Sequence, residues 1–304
     1  MHFTLRQFRV FEAVASRLSF TQAAKALHLS QPAVSMQVKA MEEQVGLPLF
    51  EQLGKQVHLT EAGHEIFHYS RAIGQLLDEA EDVINSLKGA HQGKLTISVA
   101  STANYFVPTL LGIFHERFPG VTVSLDVTNR ETLLNQLNDN LVDLVVMGQP
   151  PEGADLVAGA FMENPLVIVA PPEHPLATQK NIPLKRLEDE VFLTRERGSG
   201  TRSAIERFFA QHEVQLNTGM EIASNEAIKQ SVQAGLGLGL LSRDTLEMEL
   251  ALGKLVILDV EDFPILRHWY VMHRKGKRLS IVAQAFQQFL LEEANALLHT
   301  AETG

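Results

Sequence analysis

The sequence predicts a multidomain α plus α/β protein: a small helical module at the N-terminus, one long helix, and a two-lobed α/β domain over the rest of the chain. Three observations carry this prediction. Residues 19–46 place apolar side chains at steps of three and four, interrupted once by a polar turn. Residues 61–88 keep the same periodicity well beyond the usual length of a globular helix. From Lys94 onward, short β-branched runs alternate with helical segments, the pattern of strand–helix–strand units.

The first helix, Thr4 to Ala15, carries Leu5, Phe8, Phe11 and Val14 as a core stripe. In SFTQAAKALHLSQPAVSMQVKAMEEQVG, residues 19–46, Thr21 and Ser30 occupy the N-cap positions of two short helices, and Ala23, Ala24, Leu27, Val34, Val38 and Met41 recur at helical spacing. The small Ala23 and Ala24 allow close crossing, Leu29 fills the turn, and Pro32 sits in the first turn of the second helix, where a missing N–H costs nothing. This is helix-turn-helix geometry. Gln31, Ser35, Gln37 and Lys39 face outward or toward the helix tip, where they reach base edges and phosphates from a major groove. In LPLFEQLGKQVHLTEAG two short apolar runs flank Leu53-Gly54-Lys55, the pattern of a hairpin wing. The candidate contacts to double-stranded DNA are therefore Thr21, Gln31, Pro32, Ser35, Gln37, Lys39 and Lys55.

On these residues the chain resembles the LysR-type transcriptional regulators. FTLRQFRVFEAVA, SFTQAAKALHLSQPAVSMQVKAMEEQVGLPLF and VHLTEAG match their winged helix-turn-helix, and the resemblance extends over essentially the whole chain. TANYFVPTLLGIFHERFPGVTVSLDVTNRETL further resembles the branch that controls Calvin-cycle RuBisCO operons, the CbbR-type regulators. The resemblance implies a winged helix-turn-helix over 1–60, a linker and dimerisation helix over 61–88, a hinge over 89–93 and an effector-binding domain over 94–304. That domain is expected to be similar to periplasmic binding proteins of type 2, with lobe I at about 94–162 and 266–304 and lobe II at about 163–265. The resemblance also implies a homodimer or homotetramer on an inverted-repeat promoter site, RNA polymerase as a partner, and activation of carbon-fixation genes. Its effector would be an anionic metabolite such as ribulose 1,5-bisphosphate, phosphoenolpyruvate or NADPH. Where many family members carry wing arginines this chain has Gln52 and Lys55, neither of which offers a bidentate fork.

The net charge of −10 argues against DNA binding until it is divided along the chain. Residues 1–60 hold Arg6, Arg9, Arg17, Lys25, Lys39 and Lys55 against Glu12, Glu42, Glu43 and Glu51, a net of +2. The acidic excess lies beyond, where it repels DNA and keeps it on the N-terminal face. A weakly basic reader gains from dimerisation, which doubles its phosphate contacts.

Thr60 is placed to cap the long helix, whose Ala62, Ile66, Tyr69, Ile73, Leu76, Leu77, Ala80, Ile84 and Leu87 follow at alternating steps. GAHQG, residues 89–93, ends it. KLTISVA, VTVSLDVT and VDLVVMG then read as strands of a parallel sheet, with helices between them, and FMENPLVIVAPPEHPLA as an extended crossing to a second lobe. RHWYVMHRKG reads as the strand returning to the first lobe. Two crossings make a hinged clamshell with its ligand at the carboxyl ends of strands.

Three loops converge on such a cleft. Ser101, Thr102 and Asn104 follow the first strand, Asn129 and Arg130 the second, and Gly148 and Gln149 the third. RERGSGTRS, residues 195–203, is the strongest signal: Gly198 and Gly200 free the backbone, Ser199 and Thr201 supply hydroxyls and N–H groups, and Arg195, Arg197 and Arg202 suit phosphate or carboxylate. It lacks the GK[ST] ending of a nucleotide-hydrolysing loop. Catalysis finds no support, since His58, His64, His68 and His91 fall in the wing, the long helix and the segment that ends it rather than around one cleft, and no nucleophile–base arrangement is present. His64 and His68 are read as solvated positions, so neither metal nor cofactor is expected. The absence of cysteine excludes disulfides and thiolate sites. No run is long enough to span a bilayer and no export signal is recognisable, so a cytoplasmic location is expected and a secreted small-molecule carrier is disfavoured.

Overall fold

The computed structural model describes residues 2–54, 56–87 and 92–300. The chain forms two compact units, an N-terminal one reaching to about Ile84 and a larger C-terminal one.

The N-terminal unit contains α1 (Leu5–Ala15), α2 (Phe20–Ala26), α3 (Gln31–Val45), the antiparallel hairpin β1 (Phe50–Leu53) and β2 (Gln56–Leu59), and α4 (Glu61–Leu87). Thr4 opens α1 with a capping box: its hydroxyl accepts from Gln7 N, and the Gln7 side-chain oxygen accepts from Thr4 N at 2.9 Å. The cap of α2 is Ser19, whose Oγ accepts from Gln22 N at 3.3 Å, and not Thr21, which lies inside the first helical turn. Ser19 is still extended (φ −156°, ψ 115°) and stands three residues before a free N–H, as a cap must. Ser30 caps α3 in the same way, accepting from Ala33 N at 3.3 Å.

Val10, Val14, Ala23, Ala24, Val34 and Val38 form the three-helix core, beside a second cluster of Phe11, Ala15, Met41 and Leu49. Each fully buried large side chain there contributes about 1.5–3 kcal/mol of hydrophobic stabilisation. Leu5 is half exposed, contrary to the expected stripe, because the core engages α1 only from Gln7 onward. Glu42 ties the wing to the end of α3, its Oε1 accepting from Leu49 N at 2.8 Å and Phe50 N at 3.3 Å. The wing tip residue Lys55 lies outside the described residues. Thr60 joins β2 to α4 by donating to Pro48 O at 2.7 Å and accepting from Gly63 N at 3.0 Å. A Cβ at Gly63 would stand 2.0 Å from Leu49 O, so only glycine lets α4 pass this close.

The C-terminal unit has two five-stranded sheets. The first contains β3 (Gln92–Ala100), β4 (Gly120–Thr128), β5 (Leu144–Met147), β6 (Leu156–Glu163) and β12 (His268–Arg274), in the order β4-β3-β5-β12-β6. The second contains β7 (Leu166–Ala170), β8 (Val191–Arg195), β9 (Asn217–Ile222), β10 (Leu238–Ser242) and β11 (Val256–Ile257), in the order β11-β7-β10-β8-β9. Helices α5 (Val107–Arg117), α6 (Arg130–Asn138) and α10 (Ile281–Thr300) belong to the first lobe, and α7 (Gly200–Gln211), α8 (Asn225–Gln233) and α9 (Glu247–Ala251) to the second.

Both sheets are mixed, where a parallel sheet was expected. β12 runs antiparallel to β5 and β6, and β7 antiparallel to β10 and β11. The crossings explain this: β3, β4 and β5 end at the cleft, whereas β7 and β12 begin there, at the bridge of Leu166 with Ile265. Gln92 and Gly93, expected in the hinge, are the first residues of β3 and pair with Gly120 and Val121, while Gly89, Ala90 and His91 lie outside the described residues. After β3 the chain makes a short 3-10 turn, Ala103–Tyr105, before α5 begins.

Gly63→Ala is expected to destabilise the N-terminal unit by about 1–3 kcal/mol, the usual cost of forcing extra atoms into packed space. Thermal unfolding followed by helical circular dichroism measures it, and an unchanged Tm would mean that the Leu49 carbonyl retreats without cost.

Candidate effector cleft and nucleic-acid interface

Between the lobes of the C-terminal unit lies a cleft of about 430 Å³. Of the residues expected to line it, Ser101, Thr102, Asn129, Arg130, Gly148, Gln149, Ser199, Gly200 and Thr201 do so. Each is held by an element end. Ser101 and Thr102 follow β3, Asn129 caps α6 by accepting from Thr132 N at 3.0 Å, and Ser199 caps α7, its Oγ accepting from Arg202 N. Helix α7 thus presents its N-terminal N–H groups on the cleft wall, where anions are favoured.

Asn104, Gly198 and Arg202 are not on that wall. Asn104 is exposed in the 3-10 turn. Gly198, at φ +84°, packs where an added Cβ would meet Glu131 Oε2 at 2.9 Å, so its role is backbone shape. Arg202 is consumed by carboxylates: it donates to Glu206 Oε1 at 2.7 Å and to Glu221 Oε2 at 2.5 Å. Those bonds, Glu206 first and Glu221 second, raise its pKa above the ordinary guanidinium value.

The positive charge of the cleft comes instead from Arg130, Arg207 and Arg267, beside the ion-paired Arg195, and Glu152 lies on the same lining. The contacts that Arg130 and Arg267 make go to neutral acceptors: Arg130 Nη1 donates to Gln149 O at 2.5 Å, and Arg267 donates to Gly200 O at 3.4 Å and Asn164 Oδ1 at 3.3 Å. Arg207, exposed on α7, makes no ion pair among the described residues. Burial lowers the Arg267 pKa to about 10, opposed by Asp244 and reinforced by Arg130 and Arg207. Burial, then Arg207, lowers Arg130 as well. Two donors on the cleft floor, Arg267 Nε and Asn164 Nδ2, have no hydrogen-bond partner among the described residues. Buried donors without acceptors are costly, and this wall offers two of them.

Arg195, 3% exposed, is a strut between the lobes. It pairs with Glu196 at 2.7 Å, donates to Asn225 Oδ1 at 2.6 Å, and reaches Ser101 Oγ in the first lobe at 3.1 Å. Two further links cross the cleft. Tyr105 Oη donates to Glu226 Oε2 at 3.1 Å, and Trp269 Nε1 donates to Asp244 Oδ2 at 2.9 Å.

Sequence reasoning overlooked Asn164, Arg207, Arg267 and Trp269. Arg207 was within reach, since Gly200, Ser203, Ala204 and Arg207 share one face of α7 at steps of three and four. Arg267 and Asn164 were not, because only the paired crossings bring the heads of two distant segments together.

On α3 of the N-terminal unit, Gln31 and Lys39 are exposed and Ser35 and Gln37 partly so, with Pro32 in the first turn. Gln31 Nε2 donates to Ser35 Oγ at 3.0 Å, which pre-positions the pair. Thr21 is exposed in the first turn of α2. Met36 is 69% exposed on the same helix, an apolar side chain suited to a thymine methyl. Sequence reasoning passed it over because a methionine at helical spacing reads as core.

Comparison with known proteins agrees with this division of labour. Residues 5–64 match the family model of the bacterial regulatory helix-turn-helix proteins, lysR family, and residues 88–295 match the LysR substrate binding domain. Over 294 residues, 97% of each chain, the protein is 58% identical to a RuBisCO operon transcriptional regulator of Allochromatium vinosum. It is 46% identical, again over 97% of each chain, to the HTH-type transcriptional activator CmpR of Synechocystis. The regulatory domain of Synechocystis PCC6803 CcmR, solved in complex with 2-PG, is 46% identical with a TM-score of 0.64, covering 66% of this chain and 96% of that one. These relatives are regulators and not enzymes. The two matched modules account for both the helix-turn-helix and the cleft, and the chain belongs to the LysR family of DNA-binding transcriptional regulators.

Proposed function

We propose that this protein regulates a RuBisCO or other carbon-fixation operon, acts as an activator, and responds to a compact phosphorylated anion bound between the lobes of its C-terminal unit. The observation that carries the ligand class is the cluster of Arg130, Arg207 and Arg267 around unpartnered donors on Arg267 and Asn164. The operon rests on the 58% identical relative, activation on the kinship to CmpR, and the first ligand to try, 2-PG, on the CcmR regulatory domain. Of the effectors that the family resemblance implies, phosphoenolpyruvate and ribulose 1,5-bisphosphate suit a cleft of about 430 Å³ better than NADPH, because this volume is near the lower end for ligand sites.

The working form is a homodimer or homotetramer on an inverted-repeat site, in the cytoplasm, in contact with RNA polymerase. Exposed Tyr69, Leu76, Leu77 and Ile84 along α4 support pairing, since one helix left alone in water would not keep such a row. Among the described residues no helix is long and apolar enough to cross a membrane.

The operon assignment is tested by incubating the purified protein with sheared genomic DNA of its source and sequencing what is retained. Recovery of a promoter beside carbon-fixation genes supports it; consistent recovery of an unrelated promoter discards it. On the recovered site, Gln31→Ala or Ser35→Ala is expected to reduce discrimination against altered base pairs. Lys39→Ala should lower affinity for all sequences and reduce the salt slope by about 1. Binding unchanged in all three would remove α3 from the interface. In calorimetry with 2-PG, Arg267→Ala should raise Kd about ten- to hundredfold, the weight of a charge-assisted hydrogen bond. Arg202→Ala, outside the cleft wall, should leave Kd within about twofold. The reverse ranking would place the anion elsewhere.

A further inference from the structure

Of the four arginines on the cleft lining, the three that make no ion pair among the described residues are distributed over the three parts that must move against one another. Arg130 is the first residue of α6 in the first lobe, Arg207 lies on α7 in the second, and Arg267 stands on the crossing that returns to β12. The wall they share is close: a Cβ on Gly200, at the start of α7, would be 3.3 Å from Arg130 Cδ. Elsewhere the lobes meet through compensated groups. Arg195 carries its own Glu196, and Tyr105 meets Glu226, which pairs with Lys229 at 2.9 Å. One part of the cleft therefore closes on balanced charge, and the other on three cations that make no ion pair among the described residues, with Glu152 on the same lining and Asp244 partly offsetting Arg267.

We propose that Arg130, Arg207 and Arg267 are a charge gate: their mutual repulsion resists closure of the lobes, and a compact dianion touching all three converts that repulsion into the force that closes them. This inference rests on the anionic-effector reading and adds how the cleft is regulated. Burial strengthens like-charge repulsion by lowering the local dielectric, and Arg130 and Arg207 both act on Arg267 in that sense, against the attraction of Asp244. A ligand shifts the equilibrium only through differential affinity, and a dianion at this junction binds the closed state better because only there do the three guanidiniums converge. A monoanion, or an anion reaching one lobe only, binds without closing.

The test uses the full-length protein, first without ligand and then with 2-PG or inorganic phosphate. Deuterium uptake is followed over residues 128–137 and 147–152, in the lobe opposite the substituted position, together with emission from Trp269, which lines the cleft and is the sequence's only tryptophan. Arg207→Gln, at an exposed helix position, should slow uptake in both segments at least about twofold and shift the emission, closing the cleft with no ligand present. Arg207→Lys keeps the charge and should match the wild type. Uptake and emission in Arg207→Gln equal to those of the wild type overturn the gate. If that variant closes while the wild type ignores both 2-PG and inorganic phosphate, the repulsion among the arginines stands, and the effector reading falls together with closure by an anion. If the wild type closes on 2-PG and the unliganded variant stays open, the effector reading stands and the gate falls.

Discussion

The C-terminal unit depends on one constraint: its chain passes between the lobes twice, at residues 164–165 and 266–267, and at the bridge of Leu166 with Ile265 these passages lie side by side. Everything at the cleft follows from it. Strands that finish a lobe's own strand–helix units point their carboxyl ends at the cleft, and strands that arrive by a crossing start there, which makes both sheets mixed. The crossings also deliver Asn164 and Arg267 to the floor, where Asn164 N donates to Arg267 O at 2.7 Å and fixes the register of the two passages. The two lobes keep separate apolar cores, so the surfaces that face each other across the cleft are free to be polar.

What the amino-acid sequence revealed, and what it hid, follows from the range of each interaction. Caps, turns and core stripes act over three or four residues, and so Ser30, Thr60, Pro32 and the alternation of strands with helices could be read directly. The error at Thr21 is of the same short range: Ser19 and Thr21 have the same chemistry, and only the onset of helical geometry at Phe20 decides between them. Arg202 misled for a different reason. An arginine in a glycine-rich loop looks like a ligand contact, but Glu206 lies one helical turn on and Glu221 arrives on β9, and together they claim it. Arg267 lay beyond reach altogether, since its setting is made by a pairing of residues a hundred positions apart.

The N-terminal unit uses its polar contacts differently. Glu42 secures β1 through two backbone N–H groups, and the hydroxyl of Thr60 both gives and receives a hydrogen bond at the corner between β2 and α4. These contacts hold backbone to backbone, leaving the side chains on the outer face of α3 free of structural duty apart from the Gln31–Ser35 pair.

That corner has a mechanical meaning. With Gly63 packed against the Leu49 carbonyl and Thr60 bound to Pro48, there is no slack between wing and helix α4. A rotation of α4 about its own axis carries the wing and α3 along like a blade fixed to its handle. The DNA-reading surface has no private joint with which to absorb an imposed angle, so any twist delivered along the handle must appear at the blade.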